Sequence, residues 1–215
     1  MEGVVSLRNS FRVLRRSTSQ IIAKHPQIYN RTWCFQAKET KENMENTNAR
    51  VFDTHDREWN TEDHQLISQN ETGQVPGHYL WVNGTSVSSN AVSTNQKTLF
   101  KIHTVIEKDN NGKAHQVVIL ENKSGSVVAI NKDDDTVLVK DLPKPPSQYN
   151  TLREVKKERP EVLFYKVARE PGSNLFYFKS YLKDKQRILG FDTSGKALNT
   201  SEVDSNREES WFKVI

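Results

Sequence analysis

The chain has 215 residues, 34% of them hydrophobic and 27% charged, with a net charge of +4 and an isoelectric point near 9.0. That length fits one domain with a full core plus an appendage, and without a run of about 18 apolar residues no helical membrane span is expected. Residues 1–56 hold nine Lys/Arg and six Asp/Glu, leaving 22 and 21 for residues 57–215, so the main body is nearly neutral and lacks the strong basic footprint of a DNA, RNA or heparin binder.

Val4, Leu7, Phe11 and Leu14 fall at three- and four-residue intervals, with Arg8, Arg12, Arg15 and Arg16 mostly on other faces. This is the pattern of a short basic amphipathic helix. Serines are frequent, and Glu2 is the only acid before Glu39. Three readings fit: an Arg-rich, acid-poor transit peptide, a nuclear or nucleic-acid-contacting patch on Arg12, Arg15 and Arg16, or a solvated tail. Met1–Lys24 contains no continuous apolar stretch of the secretory kind. The Asn-x-Ser/Thr sequons at Asn30, Asn70, Asn83, Asn122 and Asn199 are therefore expected to stay unmodified. Cys34 is the only cysteine, so the body has no disulfide and no thiolate metal site.

From Gln36 to Glu62 the composition turns polar, with too few apolar groups to offset the entropy of ordering. Residues 1–56 are thus expected to be largely disordered, and 57–215 to form the folded domain. The linker contains Asp53-Thr54-His55-Asp56 followed by Arg57. Caspase-type proteases accept an exposed Asp-x-x-Asp, although solvated linker acids are the simpler explanation of the residues alone.

Beyond residue 57, turn signals come at short intervals: Asn83-Gly84, Asn110-Asn111-Gly112, Ser124-Gly125, Asp133-Asp134-Asp135, Pro171-Gly172 and Ser194-Gly195. Short alternating or apolar runs lie between them, and no long helical pattern intervenes. Twelve strands are predicted. They run over His64–Ser68, Tyr79–Val82, Val87–Val92, Leu99–Ile106, His115–Leu120 and Val127–Ile130, then Val137–Asp141, Val162–Ala168, Leu175–Ser180, Arg187–Phe191, Ala197–Thr200 and Trp211–Ile215. The connection from Leu142 to Pro160 is read as a surface excursion, because its prolines lack ladder donors. Long loops on a rigid β scaffold commonly carry binding.

Three of these segments share a centre: Leu99-Phe100-Lys101-Ile102, Phe164-Tyr165-Lys166-Val167 and Trp211-Phe212-Lys213-Val214. They fall fourth, eighth and twelfth, which divides the body into three four-strand units. Units that cannot each bury an apolar face must share one core. The expected fold is an all-β β-trefoil with twelve strands and pseudo-threefold symmetry. Period-two spacing sends Phe100 and Ile102, Tyr165 and Val167, and Phe212 and Val214 inward, each lysine facing the other way. Val118, Leu120, Leu138, Phe176, Phe178 and Leu189 complete the expected core.

The sequence contains no His-Glu-x-x-His, no Gly-x-Ser-x-Gly, no phosphate-cradling glycine loop and no zinc-like histidine spacing. Asp133-Asp134-Asp135 lacks the EF-hand pattern and reads as a turn tip. No catalytic residue, metal ligand or cofactor is expected, and the chain reads as a binding protein rather than an enzyme.

From about residue 99 onward the sequence resembles the interleukin-1 cytokine family. The resemblance is carried by Val137-Leu138-Val139-Lys140-Asp141-Leu142-Pro143-Lys144-Pro145-Pro146, by Asn111-Gly112-Lys113, and by Val162-Leu163-Phe164-Tyr165. It continues through Phe178-Lys179-Ser180, Arg187-Ile188-Leu189-Gly190 and Ser210-Trp211-Phe212-Lys213-Val214. Two departures stand out: Lys179 replaces the usual acid or alcohol, and Tyr181 to Gln186 lacks the customary small residues and turn. The resemblance implies a cytokine made without a signal peptide as a cytoplasmic, even nuclear, precursor and released to the extracellular space. Residues 1–56 would be a pro-segment, cut between Asp56 and Arg57 by a caspase-like protease, and Arg12, Arg15 and Arg16 would direct the precursor to the nucleus. The partners implied are an interleukin-1-type receptor ectodomain and an accessory receptor chain, with inflammatory and immune signalling as the outcome. Receptor contacts are expected at Asp109, Asn110 and Asn111 and at the basic turn Lys156, Lys157 and Arg159. Two rivals remain open: a heparin- or carbohydrate-binding β-trefoil, and an intracellular protein acting through its basic amino terminus.

Overall fold

Alternating apolar and polar residues dictate strands, and the computed structural model, which describes residues 59–70 and 78–215, contains ten of them among those residues. These are β1 (Asn60–Ser68), β2 (Tyr79–Asn83), β3 (Ser86–Ala91), β4 (Leu99–Lys108), β5 (Ala114–Asn122), β6 (Val127–Ile130), β7 (Val137–Lys140), β8 (Phe164–Ala168), β9 (Leu175–Ser180) and β10 (Phe212–Val214). One short helix, α1 (Leu152–Glu158), precedes β8. No helix among the described residues is long and apolar enough to cross a membrane.

Six strands close on themselves. β1 pairs with β4, β4 with β5, β5 with β8, β8 with β9, β9 with β10, and β10 returns to β1, every pairing antiparallel. Closure of this kind removes the exposed edges of an open sheet. The hairpins β2–β3 and β6–β7 hang from β1 and β5.

Ten strands form where twelve were expected. Arg187–Phe191 and Ala197–Thr200 do run side by side, through the single bridge Phe191↔Ala197 and hydrogen bonds from Leu198 N–H to Gly190 O and from Ile188 N–H to Thr200 O. They build no ladder, because each end answers to something else. The Arg187 guanidinium, fully buried, turns to Asp135, Asp184 and the carbonyl of Lys132, while the backbone at Gly190 passes so close to Val203 that a Cβ would stand 2.8 Å from its Cγ1.

Residues opposed across antiparallel strands share a face. Ile102 opposes Leu120, and Phe164 opposes Val118. The inner cluster accordingly holds Phe100, Ile102, Val118, Leu120, Phe164, Phe178, Leu189, Phe191 and Phe212. Tyr165 was expected beside Phe100 and Phe212, but the core ring is Phe164. Tyr165 opposes Val117 and packs on the outer cluster. Leu138 is displaced in the same way, with Val137 and Val139 facing the inner cluster instead. Phe176, also expected in the core, stays partly exposed.

The outer cluster explains the excursion between β7 and β8. Val105, Val117 and Ile119 on the barrel's outer face, together with Val127 and Ala129 on β6, leave an apolar surface that Tyr149, Leu152, Val155, Val162 and Leu163 cover. The segment is therefore packed against the barrel, with α1 at its centre. Thr151 caps α1 by accepting from Glu154 N–H, while the Glu154 carboxylate accepts from Asn150 N–H. The first bond satisfies a donor that a helix start leaves open, and the second ties the residue before the cap to the first turn. Leu152 and Val155, three apart, form the buried stripe.

Candidate functional site

The site arises from a mismatch in strand length. The β4–β5 hairpin stays paired as far as Lys108↔Ala114, and the β8–β9 hairpin as far as Ala168↔Phe176. Between the two hairpins, β5–β8 pairing stops at Gln116↔Lys166. Beyond that pair the hairpins part and leave an open cleft of ≈ 1190 Å³.

A tight turn walls one side. Asp109 Oδ1 accepts the backbone N–H groups of Asn111 and Lys113, at 2.9 Å each, and Gly112 supplies the positive φ of +78° that the turn needs. His115 Nε2 lies 3.2 Å from Asp109 Oδ2. The His115 hydrogen bond, together with that from Lys113 N–H, holds the Asp109 carboxyl below its ordinary value.

A buried carboxylate anchors the other side. Glu107, 9% exposed, receives Lys156 Nζ at 2.7 Å, the Tyr181 hydroxyl at 3.0 Å and, more distantly, the Tyr165 hydroxyl at 3.4 Å. Tyr165 and Tyr181 stack with ring centroids 4.9 Å apart. Burial pushes both phenols well above their usual range, so they serve as hydrogen-bond donors at neutral pH. Lys156 also lies 4.9 Å over the Tyr181 ring. This constellation fastens the last turn of α1 to the barrel.

The lining is rich in cations. Lys108, Lys113, Lys156, Lys166, Lys179 and Lys183 face two carboxylates, Glu107 and Asp109. Both acids already have partners within the site. Lys166 stands 4.3 Å over the Phe176 ring, and burial holds its pKa below the ordinary lysine value. No family model and no curated protein matches this sequence. The cleft must be read from its own chemistry, which is suited to binding: cations, half-exposed aromatic rings and open strand edges.

Of the residues expected to contact a receptor, Asp109, Asn110 and Lys156 line this one cleft. Asn111 sits on the same turn and is exposed. Lys157 and Arg159 are exposed on α1 and its carboxyl cap but do not line the cleft. Lys156 differs in kind from these two, since it is tied to Glu107. Asp56, Arg57, Arg12, Arg15 and Arg16 lie outside the described residues. Sequence reasoning missed Glu107, His115, Lys166, Lys179 and Lys183, and it assigned Tyr165 and Phe176 to the core. The signal for Lys179 was present, as the departure in Phe178-Lys179-Ser180.

A second polar chain runs under the barrel's outer face. Thr61 Oγ1 lies 2.9 Å from His103 Nδ1, and His103 Nε2 lies 2.7 Å from Glu121 Oε2. The sequence of groups looks like a nucleophile, base and acid, but His103 is 1% exposed and does not line the cleft. Its geometry ties β1 to the β4–β5 hairpin. Among the described residues no cluster of three or more metal-ligating side chains occurs.

Proposed function

We propose that this chain is a β-trefoil cytokine of interleukin-1 type, whose barrel domain binds an immunoglobulin-like receptor ectodomain and recruits an accessory receptor chain. In this reading a cut after Asp56 by a caspase-like protease releases the active form to the extracellular space, and Arg12, Arg15 and Arg16 act in the precursor. Immune and inflammatory signalling follows from receptor pairing, with no catalytic step. The supporting observation is that one cleft brings Lys156, from the helix before β8, to the adjacent pair Asp109 and Asn110 of the β4–β5 turn, all three of them residues that the family resemblance singles out for receptor contact. Closure of six antiparallel strands with attached hairpins is compatible with a trefoil.

The test is surface-immobilised binding of the full chain, before and after cleavage at Asp56, to a panel of interleukin-1-type receptor ectodomains. Binding to one of them, with slower association for Lys157→Glu/Arg159→Glu, is the expected result. Folded protein that binds none of the panel in either form refutes the proposal. A second reading, a trefoil that binds a sulfated polysaccharide, gains support from the six lysines of the cleft, which the nearly neutral charge count over residues 57–215 had hidden.

A further inference from the structure

The cleft offers more than charge. Past Gln116↔Lys166 the facing sides of β5 and β8 have no ladder partner, so the two walls present strand edges to an incoming chain. Its lining also has two characters. Tyr165, Val167 and Tyr177 are partly exposed, share one face of the β8–β9 hairpin, and form an apolar and aromatic floor. Around them stand Lys108, Lys113, Lys179 and Lys183, none of which has an ion pair with a described carboxylate. The acids of the lining do not neutralise them, since Glu107 is taken by Lys156 and the tyrosines, and Asp109 by its own turn and His115.

We infer that the cleft receives an extended, acidic segment of polypeptide in which Asp or Glu alternates with aliphatic or aromatic residues. Successive side chains of an extended chain point to opposite sides. One row then covers the aromatic floor while the other meets the lysines, and the backbone of the segment finds the open strand edges. All three features of the cleft are used at once. A sulfated polysaccharide would engage the lysines, but it has no backbone donors and acceptors in strand register. The inference rests on the receptor-binding reading only for the source of the segment, a receptor loop or strand; the specificity of the cleft stands without it.

The test uses the full chain and a synthetic probe, a labelled peptide alternating Glu with Val and Phe, with its Glu→Gln counterpart and a heparin oligosaccharide as comparisons. Lys108→Glu/Lys113→Glu/Lys183→Glu reverses exposed residues of the cleft. Lys101→Glu/Lys123→Glu/Lys213→Glu makes the same change of net charge at exposed positions outside it. Circular dichroism establishes that both variants are folded. The acidic peptide is expected to bind the native chain and the outside variant alike, and the cleft variant at least about tenfold more weakly, with affinity falling as salt rises. The Gln peptide is expected to bind weakly to all three. Absence of peptide binding, equal loss in both variants, or equal binding of the Gln peptide overturns the inference. Binding by heparin alone overturns it in favour of a polysaccharide. If the receptor panel fails while the peptide binds as described, the receptor reading falls and the cleft's specificity remains.

Discussion

Lys156→Met probes the contact that fastens α1 to the barrel. Lys156 Nζ lies 2.7 Å from Glu107 Oε1, with the lysine side chain 26% exposed and the glutamate 11%. Methionine keeps most of the apolar stem and deletes only the charge and its donors. Breaking a fully buried pair costs about 3–5 kcal/mol, because the remaining ion is left uncompensated. An exposed pair contributes about 0–1 kcal/mol. Here the carboxylate is nearly buried, the lysine reaches solvent, and the hydroxyls of Tyr181 and Tyr165 still donate to Glu107. A loss of about 1–3 kcal/mol is therefore expected, between the two limits.

The measurement is urea unfolding followed by tryptophan fluorescence, carried out as a cycle with Glu107→Gln. The amide introduced by that substitution retains the shape and can still accept from Tyr181, so the double variant should lose less than the two single variants added together. A coupling of about 1–2 kcal/mol is expected for groups in direct contact. Additivity within about 0.3 kcal/mol would show that the ion pair contributes nothing and that apolar packing alone holds α1. The result also governs how receptor experiments are read. Lys156→Glu would set two carboxylates against each other, and any loss of binding would then report a detached helix. Lys157 and Arg159, exposed and without that duty, are the positions at which a change in association rate has a direct meaning.

Three further outcomes follow from the packing and the ion pairs. Phe164→Ala should cost about 3–5 kcal/mol in urea unfolding and Tyr165→Phe under about 1 kcal/mol; the reverse order would mean that Tyr165 is the core ring. Arg187→Met should lower the melting temperature more than Lys156→Met does, since a fully buried guanidinium holds Asp135, Asp184 and the Lys132 carbonyl; a smaller shift would assign the cluster no role in joining its two loops. Burial holds the His103 pKa below its ordinary value despite the opposing Glu121 hydrogen bond, with Lys101 also disfavouring the charge. The unfolded chain then takes up the proton first as pH falls, so stability is full above about pH 6.5 and declines below it. His103→Gln should flatten that decline between about pH 7 and pH 5 in thermal melts, and an unchanged slope would place its origin elsewhere.

The all-β class was legible because turn residues punctuate the chain at nearly every strand end, and Gly84, Gly112, Gly125, Gly172 and Gly195 do take positive φ. What periodicity could not settle was register. In Val162-Leu163-Phe164-Tyr165 every residue is apolar or aromatic, so alternation gives no preference between Phe164 and Tyr165, and a slip of one residue exchanges the faces. The opposition of Phe164 to Val118 across β5–β8 decides it. α1 was hidden for a related reason. Its seven residues carry only two buried apolar groups, Leu152 and Val155, and the prolines upstream suggest loop. Of the site, the Asp109–Asn111 turn was visible through its Asn-Asn-Gly signal. Glu107 was not, since a glutamate next to a lysine in an alternating strand looks solvated until α1 and Tyr181 are folded over it.

The lysine cleft carries the same lesson into electrostatics. Counting charge over residues 57–215 suggests neutrality, yet the field at a surface depends on which charges remain unpaired there. Lys140 with Glu161, Lys144 with Glu154 and Arg187 with Asp184 cancel where they stand and add little to the field outside. Around the cleft the lysines come from four separate places: the β4–β5 hairpin, α1, the β8–β9 hairpin and the loop after β9. No run of basic residues marks them in the sequence, because strand pairing, not sequence proximity, brings them together. Glu202, Asp204, Glu208 and Glu209, which balance them in the total, belong to the segment before β10 and do not line the cleft. A domain can therefore be nearly neutral by composition and still present a cationic cleft, at which the association of any acidic partner is expected to weaken as salt rises.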